Sequence, residues 1–231
     1  MPDLHVLLLT ATPPTLPTEK HPPAYTKVDG RECILRAADL FVGRDGVGSI
    51  TVVVDSGHAE DVKRRHGSHF AFTGLKLATA SGDWFAQIRA GLSKIPESAT
   101  HILLHDAARC AVVSAELDQL IAESSQADVV AMTAPLTAEL LEVDGRGGVV
   151  GPRPPHAFVQ LLTPQVFTRA ALDGYLARKA FPSGQAVRLM PSSPLNLRVG
   201  GPADEKRVKA MLGLLPRAVK KGDGPFAEAQ W

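Results

Sequence analysis

The chain of 231 residues has only two cysteines, Cys33 and Cys110, and this scarcity excludes a disulfide framework. Charge of one sign is also lacking: 25 Lys and Arg residues balance 24 Asp and Glu residues, so the formal net charge is +1. Such a balance does not indicate a surface for nucleic acid. The eight histidines show no spacing typical of metal ligands. These absences favour a protein of a reducing compartment without a nucleic-acid partner.

Long hydrophobic runs are absent as well. The apolar segment Leu4–Leu9 is far too short to span a membrane. The same segment lacks the basic start and the small-residue cleavage site of a signal peptide. We therefore expect a cytoplasmic protein that does not associate with membranes.

The first half of the chain alternates short apolar runs with segments of helical spacing. This alternation predicts parallel βαβ units, in which ligands bind beyond the carboxyl ends of the strands. Predicted strands are Leu4–Leu9, Ile50–Val54, Leu75–Ala80, His101–Leu104 and Val129–Met132. Predicted helices are Arg31–Val42, Ala59–His66, Trp84–Lys94 and one that begins at Ser114 as its N-cap.

The second half of the chain reads differently. A Gly-rich turn between apolar pairs predicts a projecting β-hairpin arm at about residues 136–157. Further predicted elements are a strand Phe158–Leu162, a helix Pro164–Arg178, a short strand Leu195–Val199 and a helix Pro202–Leu215. We expect a single domain over residues 1–215 and a flexible tail over residues 216–231.

The segment His105–Arg109, with the sequence HDAAR, directly follows a buried strand. At that edge of the sheet, Asp106 can hold a divalent metal or a sugar hydroxyl, and Arg109 can bind a phosphate through two hydrogen bonds. The alternative is structural: Asp106 caps a turn and Arg109 forms an ion pair. The local sequence leaves both interpretations open.

The HDAAR motif after an apolar strand resembles the 2-C-methyl-D-erythritol 4-phosphate cytidylyltransferase family of the non-mevalonate isoprenoid pathway. Leu162–Gln165 is similar to the family's Thr-Pro-Gln motif, and Asn196–Val199 is similar to its Asn-Ile-Lys-Val segment. Pro22–Tyr25 resembles its Pro-Lys-x-aromatic segment. The resemblance covers residues 4 to about 214.

The resemblance implies a Rossmann-like, mostly parallel α/β fold of the nucleotidyltransferase type with a projecting hairpin arm. It implies transfer of CMP from CTP to a phosphorylated polyol, methylerythritol phosphate, with Mg²⁺ as cofactor and pyrophosphate as product. It also implies a homodimer formed through the arm. The residues carried over are Asp106 as catalytic residue and metal ligand, Arg198 as catalytic residue, and Arg109, Thr163 and Arg153 as substrate-binding residues.

The departures from the family pattern concern the nucleotide. The family's Gly-rich triphosphate loop corresponds to Thr12–Leu16, which contains two prolines and therefore lacks two N–H donors. Leu16 stands at the position of the family's catalytic Arg, and Pro23 at that of its Lys. Lys20 and Lys27 flank this loop and are the candidates to supply the missing charge.

Trp84–Gln87 replaces the family's Arg-x-x-Ser segment. The departures leave three hypotheses: a divergent cytidylyltransferase, a transferase with another nucleotide, or a catalytically degenerate homologue. The last would bind a small phosphorylated ligand or serve as a protein-interaction scaffold. An open cavity next to Asp106 favours binding or catalysis, whereas a cavity filled by Trp84 and Pro13–Pro14 favours a structural role.

Overall fold

The computed structural model describes residues 4–17, 22–184 and 187–216. Strands in these residues are β1 (Leu4–Leu9), β2 (Lys27–Val28), β3 (Arg31–Glu32), β4 (Val47–Asp55), β5 (Lys76–Ala80), β6 (His101–Asp106), β7 (Val129–Pro135), β8 (Leu140–Val143), β9 (Val149–Arg153), β10 (Val159–Thr168) and β11 (Val187–Pro191). Helices are α1 (Cys33–Asp39), α2 (Ala59–Phe72), α3 (Trp84–Leu92), α4 (Ser114–Glu123), α5 (Arg169–Arg178) and α6 (Glu205–Leu214). Short 3₁₀ turns lie at Pro23–Tyr25, Ser56–His58, Pro155–Ala157 and Pro202–Asp204.

Seven strands form one sheet in the order β11-β7-β10-β6-β1-β4-β5. Strand β10 runs antiparallel to both neighbours, and the other pairs in the sheet are parallel. The predicted mostly parallel α/β fold is thereby confirmed. The chain moves outward from β1 to β4 and β5 and then returns to place β6 on the other side of β1. The gap between β1 and β6 is thus the switch point at which ligands bind in open α/β sheets.

Helices cover both faces of this sheet. All six residues of β1 are buried, as the continuous apolar run predicts. Leu4, Val6 and Leu8 pack in the core on the side of α1, α2 and α4, whereas Leu7 and Leu9 pack on the side of α3 and α5. Successive strand side chains point to opposite faces, so one strand supplies both cores.

The hairpin arm consists of β8 and β9, which pair only with each other among the described residues. Its apolar side chains are exposed; Leu141, for example, retains 62% of its accessible surface. An isolated two-stranded hairpin has marginal stability in water, and packing of this apolar surface against another surface would stabilise it.

Two elements of the second half were predicted wrongly. The predicted helix Pro164–Arg178 begins only at Arg169, because Val166 and Phe167 extend β10 and fill the cores on the two faces of the sheet. Leu195–Val199 is not a strand. The Leu197 amide instead donates to the Leu195 carbonyl at 2.7 Å.

Smaller corrections concern single positions. Ser114 is the first residue of α4 rather than its N-cap, and its hydroxyl accepts a hydrogen bond from Arg44. Strand β11 was not predicted, because its sequence carries charge and proline. The domain limits stay a prediction, and residues 217–231 of the predicted tail lie outside the described residues. No helix among the described residues is long and apolar enough to cross a membrane.

Candidate active site

The candidate site lies at the switch point between β1 and β6. Asp106, the last residue of β6, is opposite Leu9, the last residue of β1. The Ala107 amide donates to the Leu9 carbonyl at 2.8 Å, which fixes the HDAAR turn against β1. Residues 10–17, called the first loop below, continue from β1 over this point.

Asp106 is held by three contacts. Its Oδ1 accepts a hydrogen bond from the Ala108 amide at 2.9 Å, and its Oδ2 accepts one from Arg198 Nε at 2.6 Å. The Asp106 backbone amide donates to the Thr163 hydroxyl at 3.1 Å. The carboxylate caps the turn and forms a buried ion pair, as the structural alternative predicted for this residue, and it retains 1% exposure.

Arg109 behaves differently from Arg198. Its Nη1 donates to the Asn196 carbonyl at 2.7 Å, and it forms no ion pair with the residues that the structure describes. Burial lowers the pKa of the Arg109 guanidinium; the nearby Asp106 carboxylate opposes this change and Arg198 adds to it. The structural alternative, an ion pair for Arg109, is therefore not what the described contacts show. Asp106 interacts with Arg109 but forms its ion pair with Arg198, and a bound anion would offset the remaining cost of burying the Arg109 charge.

His105 and Asn196 support these groups. His105 Nε2 donates to the Arg109 carbonyl at 2.8 Å, and burial lowers the pKa of His105 to about 4. Asn196 Nδ2 donates to the Thr163 carbonyl at 3.0 Å. Asn196 therefore links the two residues by hydrogen bonds: its side chain donates to Thr163, and its carbonyl accepts from Arg109. Our residue assignment from the sequence missed Asn196, although it begins the segment that carries Arg198.

A cavity of about 400 Å³ opens beside Arg109 and Thr163; we call it the basic cavity. It contains two cationic side chains and no carboxylate among its described lining residues. These residues are Pro13, Pro14, Thr15, Leu16, Trp84, Arg109, Leu161, Thr163, Gln165, Tyr175, Lys179, Ala180 and Phe181. Trp84 and Pro13–Pro14 thus line the cavity and leave it open, but Asp106 is not among its lining residues.

A second cavity of about 360 Å³ is lined by the start of the first loop, Thr10–Thr12; we call it the acidic cavity. It contains two carboxylates, and no Lys or Arg is among its described lining residues. These residues are Thr10, Ala11, Thr12, Pro22, Asp55, His58, Gly82, Asp83 and Gln87. Our sequence analysis missed Asp55 and Asp83. Asp55 is the last residue of β4, and Asp83 lies shortly after β5. Each carboxylate accepts a hydrogen bond from a backbone amide.

Gln87 fixes the start of the first loop. Its Oε1 accepts hydrogen bonds from the amides of Thr10 and Ala11, both at 2.9 Å, and its Nε2 donates to the Thr10 hydroxyl at 3.1 Å. The side chain is 1% exposed. The amides of Thr10 and Ala11 are therefore satisfied by Gln87 and are not free to bind a ligand. Pro13 and Pro14 have no N–H to donate.

Two further predicted site residues, Lys27 and Arg153, are not among the lining residues of these cavities. Lys27 lines a third cavity with Tyr25, His58, Arg65 and Glu205. Arg153 lies on the arm and pairs with Glu142. Lys20 lies outside the described residues. The roles assigned to these three side chains stay predictions.

Comparison with known proteins agrees with the resemblance. The family model described as 2-C-methyl-D-erythritol 4-phosphate cytidylyltransferase matches residues 5–213. The chain is 27% identical over 209 residues to the enzyme of that name from Stenotrophomonas maltophilia (strain R551-3), covering 83% of this chain and 88% of that protein. It is 27% identical over 225 residues to the bifunctional enzyme IspD/IspF of Clavibacter michiganensis subsp. michiganensis (strain NCPPB 382), covering 91% of this chain and 55% of that one.

Solved structures show the same fold. The crystal structure of 4-diphosphocytidyl-2C-methyl-D-erythritol synthase from Anaerococcus prevotii DSM 20548 superposes with a TM-score of 0.73 at 14% identity. The match covers 92% of this chain and 96% of that one. Because the family model spans nearly all of the described chain, this protein belongs to the 2-C-methyl-D-erythritol 4-phosphate cytidylyltransferase family.

Proposed function

We propose that this protein is a cytidylyltransferase that transfers CMP from CTP to the phosphate of a small phosphate monoester. Methylerythritol phosphate, which the family name specifies, is the first acceptor to test. The observation that carries the proposal is Arg109, a buried guanidinium that forms no ion pair with the described residues and lines the open basic cavity together with Thr163. Such a group can bind a phosphate through charge-assisted hydrogen bonds.

In the proposed reaction, an oxygen of the acceptor phosphate attacks the α-phosphorus of CTP. A new P–O–P bond forms, the bond between the α- and β-phosphates breaks, and pyrophosphate leaves with its electron pair. Arg109 would hold the acceptor phosphate. The Thr163 hydroxyl accepts a hydrogen bond from the Asp106 amide, and it can still donate its own proton to that phosphate.

The arrangement supports a slow reaction. Phosphoryl-type transfer depends on positive charge around the phosphates, and Thr12–Leu16, at the position of the family's triphosphate loop, contains no Lys or Arg. Loss of a single stabilising donor typically costs about 10²–10³ in rate. Carboxylates such as Asp55 and Asp83 can accept a hydrogen bond from the cytosine amino group but repel the triphosphate. We therefore expect turnover far below the usual ~10 s⁻¹.

Mg²⁺ stays a prediction. Asp106 is the predicted ligand, but its carboxylate is buried and already paired with Arg198 at 2.6 Å. No cluster of three metal-ligating side chains lies in the described part of the chain. These residues fit a Mg²⁺ ion poorly in this conformation, and so the roles given above depend on no metal.

We further propose that the protein is a homodimer in the cytoplasm. The exposed apolar residues of the arm support the dimer, because symmetric pairing of two such surfaces is the commonest closed assembly. In a dimer, Arg153 on the arm could reach the partner's site, which is the role that the resemblance implies. The balanced net charge gives no support for a nucleic-acid partner.

A second candidate function is binding of a phosphorylated ligand without catalysis. Gln87 favours it, because this side chain uses two donors that the nucleotide side of the site would otherwise offer. In this case the basic cavity binds a phosphate monoester, and CTP is not consumed.

A pyrophosphate-release assay separates the two functions. Wild type is incubated with CTP, Mg²⁺ and methylerythritol phosphate, with Arg109→Gln and the exposed-surface variant Arg178→Gln as matched comparisons. The transferase proposal predicts release that requires the acceptor, is lost in Arg109→Gln and is retained in Arg178→Gln. Release no greater than in the absence of acceptor, with phosphate binding intact, would establish the second function instead.

A further inference from the structure

The two cysteines of the chain, Cys33 and Cys110, are in contact although they lie 77 residues apart in sequence. Their sulfur atoms are 3.8 Å apart, which is a hydrogen-bonding distance for sulfur. Both thiols are free; Cys33 is 0% exposed and Cys110 is 2% exposed. A disulfide bond is about 2.05 Å long, so an approach of about 1.8 Å would convert this contact into a covalent bond.

The surroundings of the pair are separate from the two main cores. Cys33 and Cys110 belong to a small cluster of buried residues that also contains Val28, Ala111, Val199 and Val208. Val208 is the only fully buried residue of α6, the helix that packs against this cluster. A helix that buries so little of its surface opens locally at a low cost in free energy, and such opening gives a small oxidant access to the thiols.

The two thiols differ in reactivity. Hydrogen bonding to Cys33 and the nearby Arg36 guanidinium lower the pKa of the Cys110 thiol, and burial opposes this change. The hydrogen bond with Cys110, together with burial, raises the pKa of the Cys33 thiol. Because the thiolate is the form that reacts with oxidants, Cys110 is the thiol that reacts first and Cys33 is the thiol that then forms the disulfide.

The pair lies next to the proposed phosphate site, because Cys110 directly follows Arg109. Cys33 is the first residue of α1, which packs into a main core, for example through Ile34. Residues 107–113, in contrast, form neither helix nor strand. We therefore expect the segment around Cys110 to make most of the movement that a disulfide requires, and this movement displaces Arg109.

We propose that Cys33 and Cys110 form a reversible disulfide when the protein reacts with hydrogen peroxide, and that this disulfide weakens phosphate binding at Arg109. The Cys110 thiolate attacks one peroxide oxygen, the O–O bond breaks, and a sulfenic acid and water form. The Cys33 sulfur then attacks the Cys110 sulfur, the S–S bond forms, and a second water leaves. In total the two thiols lose two electrons and two protons, and the peroxide is reduced to two waters. The effect on phosphate binding rests on the proposed function, whereas the disulfide itself does not.

Mass spectrometry tests the disulfide. The reduced full chain is treated with hydrogen peroxide, denatured and alkylated. Because the chain has no other cysteine, a monomer that takes up no alkyl group and regains two alkylatable thiols with dithiothreitol must contain the Cys33–Cys110 bond. We expect this species to form. Two alkylated thiols after oxidation, or disulfide-linked dimers alone, would overturn the proposal.

Calorimetric titration with inorganic phosphate tests the effect on the site. Oxidised wild type should bind phosphate at least ~3-fold more weakly than reduced wild type, because the hydrogen bonds from Arg109 weaken when their geometry changes. The matched control is the double variant Cys33→Ala/Cys110→Ala, whose affinity peroxide should leave unchanged. Dithiothreitol gives a second control on the wild-type chain, because it restores the affinity only if a disulfide caused the loss. An equal loss of affinity in the double variant, or a loss that dithiothreitol does not reverse, would show that oxidation acts elsewhere and that the proposal is wrong.

The outcome is separable from that of the proposed function. A reduced wild type that does not bind phosphate contradicts the phosphate site at Arg109 and the effect of oxidation on it, whereas the mass measurement still decides whether the disulfide forms. Complete disulfide formation with unchanged phosphate affinity contradicts the effect of oxidation and leaves the phosphate site standing.

Discussion

The acidic and basic cavities are lined by successive parts of one loop, Thr10–Thr12 and Pro13–Leu16, and their described lining residues carry opposite charge. The acidic cavity is lined by Asp55 and Asp83, and the basic cavity by Arg109 and Lys179. In a cytidylyltransferase, the triphosphate carries the larger negative charge, and therefore the nucleotide side should be the more positive. Under the proposed assignment, in which Arg109 holds the acceptor phosphate, the described lining residues show the reverse relation, although Pro13–Leu16, at the position of the family's triphosphate loop, also line the basic cavity.

The cavities also differ in how far their polar groups are satisfied. Gln87 uses the Thr10 and Ala11 amides at 2.9 Å, so the nucleotide side is closed by internal hydrogen bonds. The Arg109 guanidinium has five N–H donors, and one hydrogen bond from it is described, to the Asn196 carbonyl. Donors without a partner in the described chain mark a binding site better than satisfied donors do, and the comparison therefore favours the basic cavity as the proposed phosphate site.

The largest expected effect comes from breaking the ion pair that underlies the basic cavity. Asp106→Asn leaves the buried Arg198 guanidinium without this carboxylate, and removal of one partner of a buried pair costs about 3–5 kcal/mol of stability. Urea denaturation measures the change. Glu142→Gln, which breaks the exposed pair with Arg153 on the arm, is the control and should cost less than about 1 kcal/mol. Equal losses in the two variants would show that the Asp106 pair is not a structural element.

A slightly smaller effect is expected from pH. Burial lowers the pKa of His105 from 6.5 to about 4, so between these values the unfolded chain binds a proton that the folded chain does not. Stability should therefore fall as pH falls through this window, by up to about 3 kcal/mol. Denaturation of wild type and His105→Gln at several pH values isolates the contribution. A wild-type slope no steeper than that of the variant would contradict the buried, neutral imidazole.

A third prediction sharpens the contrast from the nucleotide side. Wild type should bind CTP with Mg²⁺ only weakly, with a Kd in the millimolar range or above. Gln87→Ser frees the amides of Thr10 and Ala11, and we expect about 30-fold tighter CTP binding if both amides bind the ligand, since each new hydrogen bond is worth about 1 kcal/mol. Calorimetry checks it, with the exposed variant Gln119→Ser as control. Micromolar affinity of the wild type would show that our account of the first loop is wrong.

The smallest effect on the site is expected from the arm. Leu141→Glu places a charge in the proposed dimer surface and should convert the dimer to a monomer in sedimentation experiments. Binding of inorganic phosphate should weaken only modestly, because Arg109 and Lys179 remain in each chain and only the contribution proposed for Arg153 of the arm is lost. A wild type that sediments as a monomer at tens of micromolar would contradict the homodimer.

The strands of the first half were predictable because their apolar runs are continuous and buried on both faces, as β1 illustrates. Residues 164–168 were not, because Pro164 is compatible with the first turn of a helix. Only the pairing of this segment with both β6 and β7 makes it a strand. Long-range contacts of this kind leave little trace in a local sequence pattern.

The residues of the candidate site likewise divide into those that local motifs identify and those that only long-range contacts reveal. Asp106, Arg109, Thr163 and Arg198 could be named from motifs, and the structure brings them together around the HDAAR turn. The motifs could not tell which arginine pairs with Asp106, because that choice depends on the backbone of the segment around Asn196. Gln87 was also out of reach, since its partners are 76 and 77 residues away in sequence.

The central claim is that the site binds a phosphate monoester on the acceptor side and binds CTP poorly. The most direct measurement is a pair of calorimetric titrations of the wild type, one with methylerythritol phosphate and one with CTP and Mg²⁺. The account predicts that methylerythritol phosphate binds at least ~10-fold more tightly than CTP and that Arg109→Gln abolishes this difference. Micromolar binding of CTP with no detectable binding of methylerythritol phosphate would contradict it.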